Sequence, residues 1–163
     1  MIVGVLLRMP QASAAPSTVF HASQCQASVD AAPVVTPSYT NGEVDNQSAL
    51  GMVILYCPIS YDAAALPSGM QIIVDGWSNG CFTANEPGFQ TAVCKKSAGG
   101  FAPTCGIWMA PQSGGSPNCT PNVYHLINNI PAFTPGDSLY VKVKLDRHMT
   151  VGGDNTMFGY KFQ

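Results

Sequence analysis

Metal or nucleophilic chemistry in this chain would rest on three histidines, nine acids and six cysteines, and their spacing along the sequence does not assemble it. His21, His125 and His148 form neither HExxH nor HxH, nor any other paired ligand spacing. His125 stands beside Tyr124 in a predicted strand and reads as a partly buried structural residue. His148 follows Asp146 and Arg147 at a strand end, where an exposed histidine needs no special role. The acids, Asp75, Asp137 and Asp154 among them, give no D-x-D-x-D calcium loop and no glycosidase pair. No G-x-S-x-G elbow, P-loop or G-x-G-x-x-G is present. The sequence therefore nominates no catalytic residue, no metal ligand and no cofactor. A Ser/His/Asp site assembled only in three dimensions leaves no linear signature, and a secreted hydrolase stays open as the alternative.

Cys25, Cys57, Cys81, Cys94, Cys105 and Cys119 are an even set without a C-x-x-C pair. They read as three structural disulfides, which persist where no thiol-reducing system undoes them, and so place the protein outside the cytosol, secreted or periplasmic. Cys25 follows the first predicted strand and Cys57 ends a central one, so joining them ties the N-terminal segment to the sheet. The simplest local pairs for the rest are Cys81 with Cys94 and Cys105 with Cys119. Each such loop is worth about 3 kcal/mol by chain entropy, against a total stability of ~5–15 kcal/mol.

Trp77 and Trp108 are the residues best suited to recognition. Each stands beside turn-forming sequence at a predicted strand end, and an exposed indole offers a flat apolar platform with one donor, fit for a sugar ring or a protein partner. The plainer alternative packs both in the core or over a disulfide. Asn46-Gln47-Ser48 and Asn118-Cys119-Thr120 match the glycosylation sequon.

Only 10% of the residues are charged and the net charge is −2, with no basic run to neutralise a row of phosphates. Nucleic acid is excluded as an expected partner. Such a weakly charged surface opposes packing of one copy on another very little, so self-association is open. Ile2 to Leu7 is apolar and Ala12-Ser13-Ala14 offers small residues at alternate positions, which reads as a secretion leader over residues 1–14 with cleavage after Ala14. The alternative is an N-terminal strand over residues 2–7. Residues 15–163 are then one domain, large enough to bury its own core. No stretch approaches the ~20 apolar residues of a membrane-spanning helix.

The elements that must position these residues are strands. In Ser138 to Asp146, Leu139, Val141, Val143 and Leu145 alternate with Tyr140, Lys142 and Lys144, one side core and one side water. Thr156, Phe158, Tyr160 and Phe162 alternate with Met157, Gly159 and Lys161, and this segment should close the sheet. Leu50 to Ile59 is almost continuously apolar and predicts a central strand buried on both faces. Further strands are predicted at Thr18–Gln24, Met70–Trp77, Phe89–Lys95, Cys105–Ala110 and Val123–Ile130, separated by turns such as Asn41-Gly42 and Pro135-Gly136-Asp137. Short strands with Gly/Pro turns and no βα alternation predict an all-β fold, an antiparallel sandwich of about seven to nine strands, jelly-roll-like or Ig-like and stapled by disulfides.

The His21-Ala-Ser-Gln-Cys25 segment followed by the strand ending Tyr56-Cys57-Pro58 resembles small exported disulfide-containing proteins of myxobacteria and related proteobacteria, over roughly the first third of the chain. That resemblance implies export and no particular activity. The length, the sandwich pattern and the aromatic Phe162 next to last are similar to pilin-like subunits, which implies strand-mediated assembly, although the cysteine spacing departs from the single bridge of that family. Together these features predict a secreted, non-catalytic structural or binding module for a glycan or an extracellular protein, with a self-assembling subunit as a further alternative.

Overall fold

A computed structural model describes residues 19–28, 36–48, 50–60, 69–78, 88–110, 122–147 and 155–163. The predicted leader over 1–14, His148, Cys81 and Cys119 lie outside them. Eleven strands stand among the described residues: β1 (Val19–His21), β2 (Gln26–Ala27), β3 (Ser38–Thr40), β4 (Glu43–Asn46), β5 (Val53–Pro58), β6 (Gln71–Ser78), β7 (Phe89–Lys96), β8 (Thr104–Cys105), β9 (Asn122–Asn129), β10 (Ser138–Leu145) and β11 (Asn155–Phe162). Those beyond the expected seven to nine are strands of two to four residues whose apolar periodicity is too short to register in sequence.

The strands form two antiparallel sheets. One runs β3-β4-β11-β6-β9, with β1 also on β11; the other runs β2-β5-β10-β7-β8. From β4 onward the chain passes from sheet to sheet at every connection except β7 to β8, the alternation of a jelly roll rather than of hairpin-linked sheets. The β3–β4 hairpin is direct, and its Asn41-Gly42 turn has φ of 53° and 88°, the left-handed pair that suits the twist of an antiparallel hairpin.

Period-two alternation decides what enters the core. Leu139, Val141, Val143 and Leu145 of β10 face Val53, Leu55 and Cys57 of β5 and Phe89 and Val93 of β7 along one inner face. Val44, Ile72, Val74, Leu126, Met157, Tyr160 and Phe162 line the other. The predicted Cys25–Cys57 bridge forms inside this core, with both sulfurs within 3.9 Å of Met157 Sδ, and it ties the segment after β1 to β5. Polar contact between the inner faces is made by Thr91 and Asn128, both buried, whose side chains exchange hydrogen bonds of 3.1 and 2.8 Å. Phe20 stacks on Tyr160 at 4.8 Å, and the Tyr160 hydroxyl donates to the Pro58 carbonyl of the opposite sheet.

Two expectations about strands are corrected. The Leu50–Ile59 strand is neither so long nor buried on both faces: β5 begins at Val53, Leu50 is 80% exposed, and Ile54 and Tyr56 are only half-buried. Its outer side carries no second layer among the described residues, so an unbroken apolar run here reports an amphipathic open face. The C-terminal strand does not alternate strictly either. A bulge between Met157 and Gly159 shifts the phase, so Met157 faces inward together with Tyr160 and Phe162, while Thr156, Gly159 and Lys161 face outward. β11 is also central rather than terminal in its sheet, with β6 on one side and β4 and β1 sharing the other.

Candidate ligand-binding face

The outward residues of β5, β10 and β7 fall into transverse rows. Gln26 pairs with Tyr56, Tyr56 with Lys142 and Lys142 with Ala92. The chain after β8 continues this row along the edge of β7, where the Thr91–Met109 bridge brings Trp108 beside Ala92. One line thus reads Gln26, Tyr56, Lys142, Ala92, Trp108, and at ~4.8 Å per strand its Tyr56 and Trp108 positions stand about 14 Å apart. Flanking rows are Pro58, Tyr140, Cys94 and Cys105 on one side and Ile54, Lys144 and Gln90 on the other.

The small Ala92 keeps the middle of the row low, and the neighbouring side chains lean over it. Lys142 Nζ is 5.4 Å from the Tyr56 ring centroid and 6.0 Å from that of Trp108, and Lys144 Nζ is 4.5 Å from Trp108. An ammonium over an aromatic face is held by the ring quadrupole, so the lysine stems and rings order one another. Tyr56 and Tyr140 are diagonal neighbours with ring centroids 5.6 Å apart. Burial, and then the adjacent Tyr56, push the Tyr140 hydroxyl above the ordinary tyrosine range, so it stays a neutral donor at physiological pH. Tyr56, Trp108, Tyr140, Lys142 and Lys144 are all half-buried, with one side packed on the sheet and one side open.

A disulfide fixes the edge that carries Trp108. Cys94 bonds to Cys105, its register partner across the β7–β8 pair, on the outer face of the sheet. The pairings Cys81–Cys94 and Cys105–Cys119 are therefore incorrect: cross-strand register, not shortness of the intervening loop, decides which sulfurs meet. Beyond the bridge the segment runs on against β7 through Gly106 N–H to the Val93 carbonyl, as the predicted Cys105–Ala110 strand reduced to one short strand and one bridge.

Trp77, the other indole singled out in the sequence, lies on the far side of the molecule. It faces outward from β6, half-buried, in register between Val123 and Thr156. Neither tryptophan is a core residue, and the fold separates them onto opposite faces of the sandwich. Beside Trp77 the structure also pairs His125 with Asp75 at 2.7 Å, while Lys161 stands 3.5 Å from the other carboxylate oxygen. This corrects the sequence reading of His125, whose side chain is 64% exposed rather than partly buried, and which does have an acidic partner. The partner is invisible in the linear sequence because it comes from cross-strand register between β6 and β9. Among the described residues no hydroxyl or thiol hydrogen-bonds to His125, and its hydrogen bond to Asp75 is exposed. It reads as a surface ion-pair network. No group of three or more metal-ligating side chains stands together among the described residues, and no helix there is long and apolar enough to cross a membrane.

Tyr56, Tyr140, Lys142 and Lys144 are site residues that no linear motif in the sequence marks. Their signal was present in the polar phase of β10 and in the single tyrosine of an otherwise aliphatic β5, but only register joins them to Trp108.

No family model matches the chain, and no curated protein matches it. Among solved structures, a mutant of a family 29 carbohydrate-binding module is similar over 89% of this chain and 83% of its own, with 11% identity and a TM-score of 0.41. A family 36 carbohydrate-binding module in complex with calcium and xylotriose is similar over 90% of this chain and 99% of its own, with 17% identity and a TM-score of 0.40. A further family 29 module is similar over 89% and 86%, with 12% identity and a TM-score of 0.38.

Proposed function

We propose that the chain is an exported, non-catalytic binding module that takes an extended glycan across the outer face of the β2-β5-β10-β7-β8 sheet. The observation that carries this reading is the single transverse row holding Tyr56, Lys142 and Trp108, half-exposed, with Ala92 as a low point between them. A pyranose presents apolar C–H faces and an equatorial rim of hydroxyls. Ring faces of tyrosine and tryptophan meet the first, while ammonium, phenol and amide groups meet the second. The length of the row suits several linked rings rather than one. Export is supported by two disulfides among the described residues, one buried in the core and one on the surface.

Affinity electrophoresis through gels cast with individual plant and microbial polysaccharides tests the reading. Native protein should be retarded by at least one of them, Trp108→Ala should lose about tenfold or more of that retardation, and Trp77→Ala should keep it. Loss on Trp77→Ala with retention on Trp108→Ala would move the site to the other sheet and overturn the assignment.

A further inference from the structure

Charge is sorted between the two sheets. The strands of the β2-β5-β10-β7-β8 sheet contain no aspartate or glutamate and four lysines, Lys95, Lys96, Lys142 and Lys144. The strands of the other sheet contain Glu43, Asp45 and Asp75 and one lysine, Lys161. Lys161 stands against Asp75, and Lys95 against Asp137 at the rim. Lys96, Lys142 and Lys144 meet no carboxylate among the described residues, and all three project from the outer face that carries Trp108. In a chain of net charge −2, a face with three such cations and no acid in its strands is a local inversion of the whole-molecule charge.

We infer that the ligand of this face is an anionic polysaccharide bearing carboxylates, a uronic-acid polymer, rather than a neutral glycan. The inference rests on the glycan-binding reading above and specifies its substrate class. A half-exposed lysine over a ring has part of its charge unsatisfied: the quadrupole holds the ammonium loosely, and its remaining donors are open to solvent. A uronate whose ring packs on Trp108 or Tyr56 brings its carboxylate within reach of Lys144 or Lys142, because each ammonium already lies close to one of those rings. Stacking and ion pairing then act on the same sugar unit. A neutral polymer would use the rings and offer the lysines hydroxyl acceptors without the opposite charge of a carboxylate. Nucleic acid also combines rings with negative charge, but three cations on an acidic protein give a weak phosphate-tracking surface.

The test compares polygalacturonate with the same polymer after carboxyl reduction, which keeps the chain and removes its charge, alongside neutral xylan and mannan and single-stranded oligo-dT. Native protein should bind polygalacturonate about tenfold or more tighter than the reduced polymer, with affinity falling steeply from about 0.02 M to about 1 M NaCl as screening grows. The Lys142→Gln/Lys144→Gln double variant should lose the preference, and Lys142→Arg/Lys144→Arg should retain it, which separates lost charge from lost packing. Equal binding of the charged and reduced polymers, dependent on Trp108 and indifferent to the glutamine variant, would overturn the anionic class and leave the glycan-binding face standing. Binding of no polysaccharide, or of oligo-dT alone, would overturn both.

Discussion

Lys144 holds its ammonium 4.5 Å from the centroid of the Trp108 ring, joining the central β10 strand to the edge segment that follows the Cys94–Cys105 bridge. The contact runs diagonally across β7, from the Gln90 row to the Ala92 row, so a small side chain, a cation and an indole define the low floor and raised edge of one surface. The proposed binding surface and the stability of this edge thereby share one pair of residues.

That coupling has a size. A double-mutant cycle with Lys144→Met and Trp108→Leu, followed by urea unfolding, should give an interaction energy of about 0.5–1 kcal/mol, as for a cation–π pair at a partly exposed site. Strictly additive single variants would show that the two side chains are neighbours without an energetic link.

Tyr160 makes the fold sensitive to alkali. Burial pushes its hydroxyl up to about 12 from the ordinary value of 10. The neutral phenol is therefore favoured in the folded state, and its contribution is full below about pH 10 and lost as pH rises through about 12. Tyr160→Phe should cost about 1 kcal/mol at neutral pH, because the Pro58 carbonyl loses its donor, and should lose less further stability than native protein between those two pH values. Parallel stability curves for the two proteins across that range would contradict this account.

Gly76 is fixed by a close approach rather than by its backbone angles. A Cβ there would stand 2.7 Å from Phe89 Cζ and 2.7 Å from the Thr156 carbonyl oxygen, and Phe89 is fully buried with nowhere to retreat. Gly76→Ala should destabilise by about 1–3 kcal/mol through overpacking between the sheets. Gly106→Ala, where the added carbon meets only ordinary contacts, should be near neutral. A thermal melt of Gly76→Ala equal to that of native protein would refute the close approach.

The disulfide map carries its own prediction. With Cys25 joined to Cys57 and Cys94 to Cys105, an oxidised chain without free thiols leaves Cys81 to pair with Cys119. Non-reducing peptide mapping should recover that third linkage, and free thiol at both positions would oppose it.

Much of this architecture could be read in the sequence, because period-two alternation is a local signal. β6, β7, β9 and β10 begin and end within a residue or so of where their apolar phase predicts. The failures share a cause: each needed information from a second strand. The bulge at Phe158 reverses the phase within β11 and leaves no mark in a sequence that alternates on both sides of it. The apolar run around Tyr56 predicts core, whereas the outer side of the sheet carries no second layer among the described residues and leaves it half-buried. Trp108 could be chosen as an exposed indole from its own surroundings. Its partners Lys142 and Lys144 could be read only as a solvated face, since the register that brings them to the ring is set by β7 lying between.

Ligand is expected to meet the protein at Trp108 and not at Trp77, and the two indole N–H signals in a ¹H–¹⁵N spectrum report on each face separately. Titration with oligogalacturonate should shift or broaden the Trp108 indole signal, assigned through Trp108→Phe, and leave the Trp77 signal in place. Perturbation of Trp77 alone, or of neither indole while the oligosaccharide binds, would contradict the account.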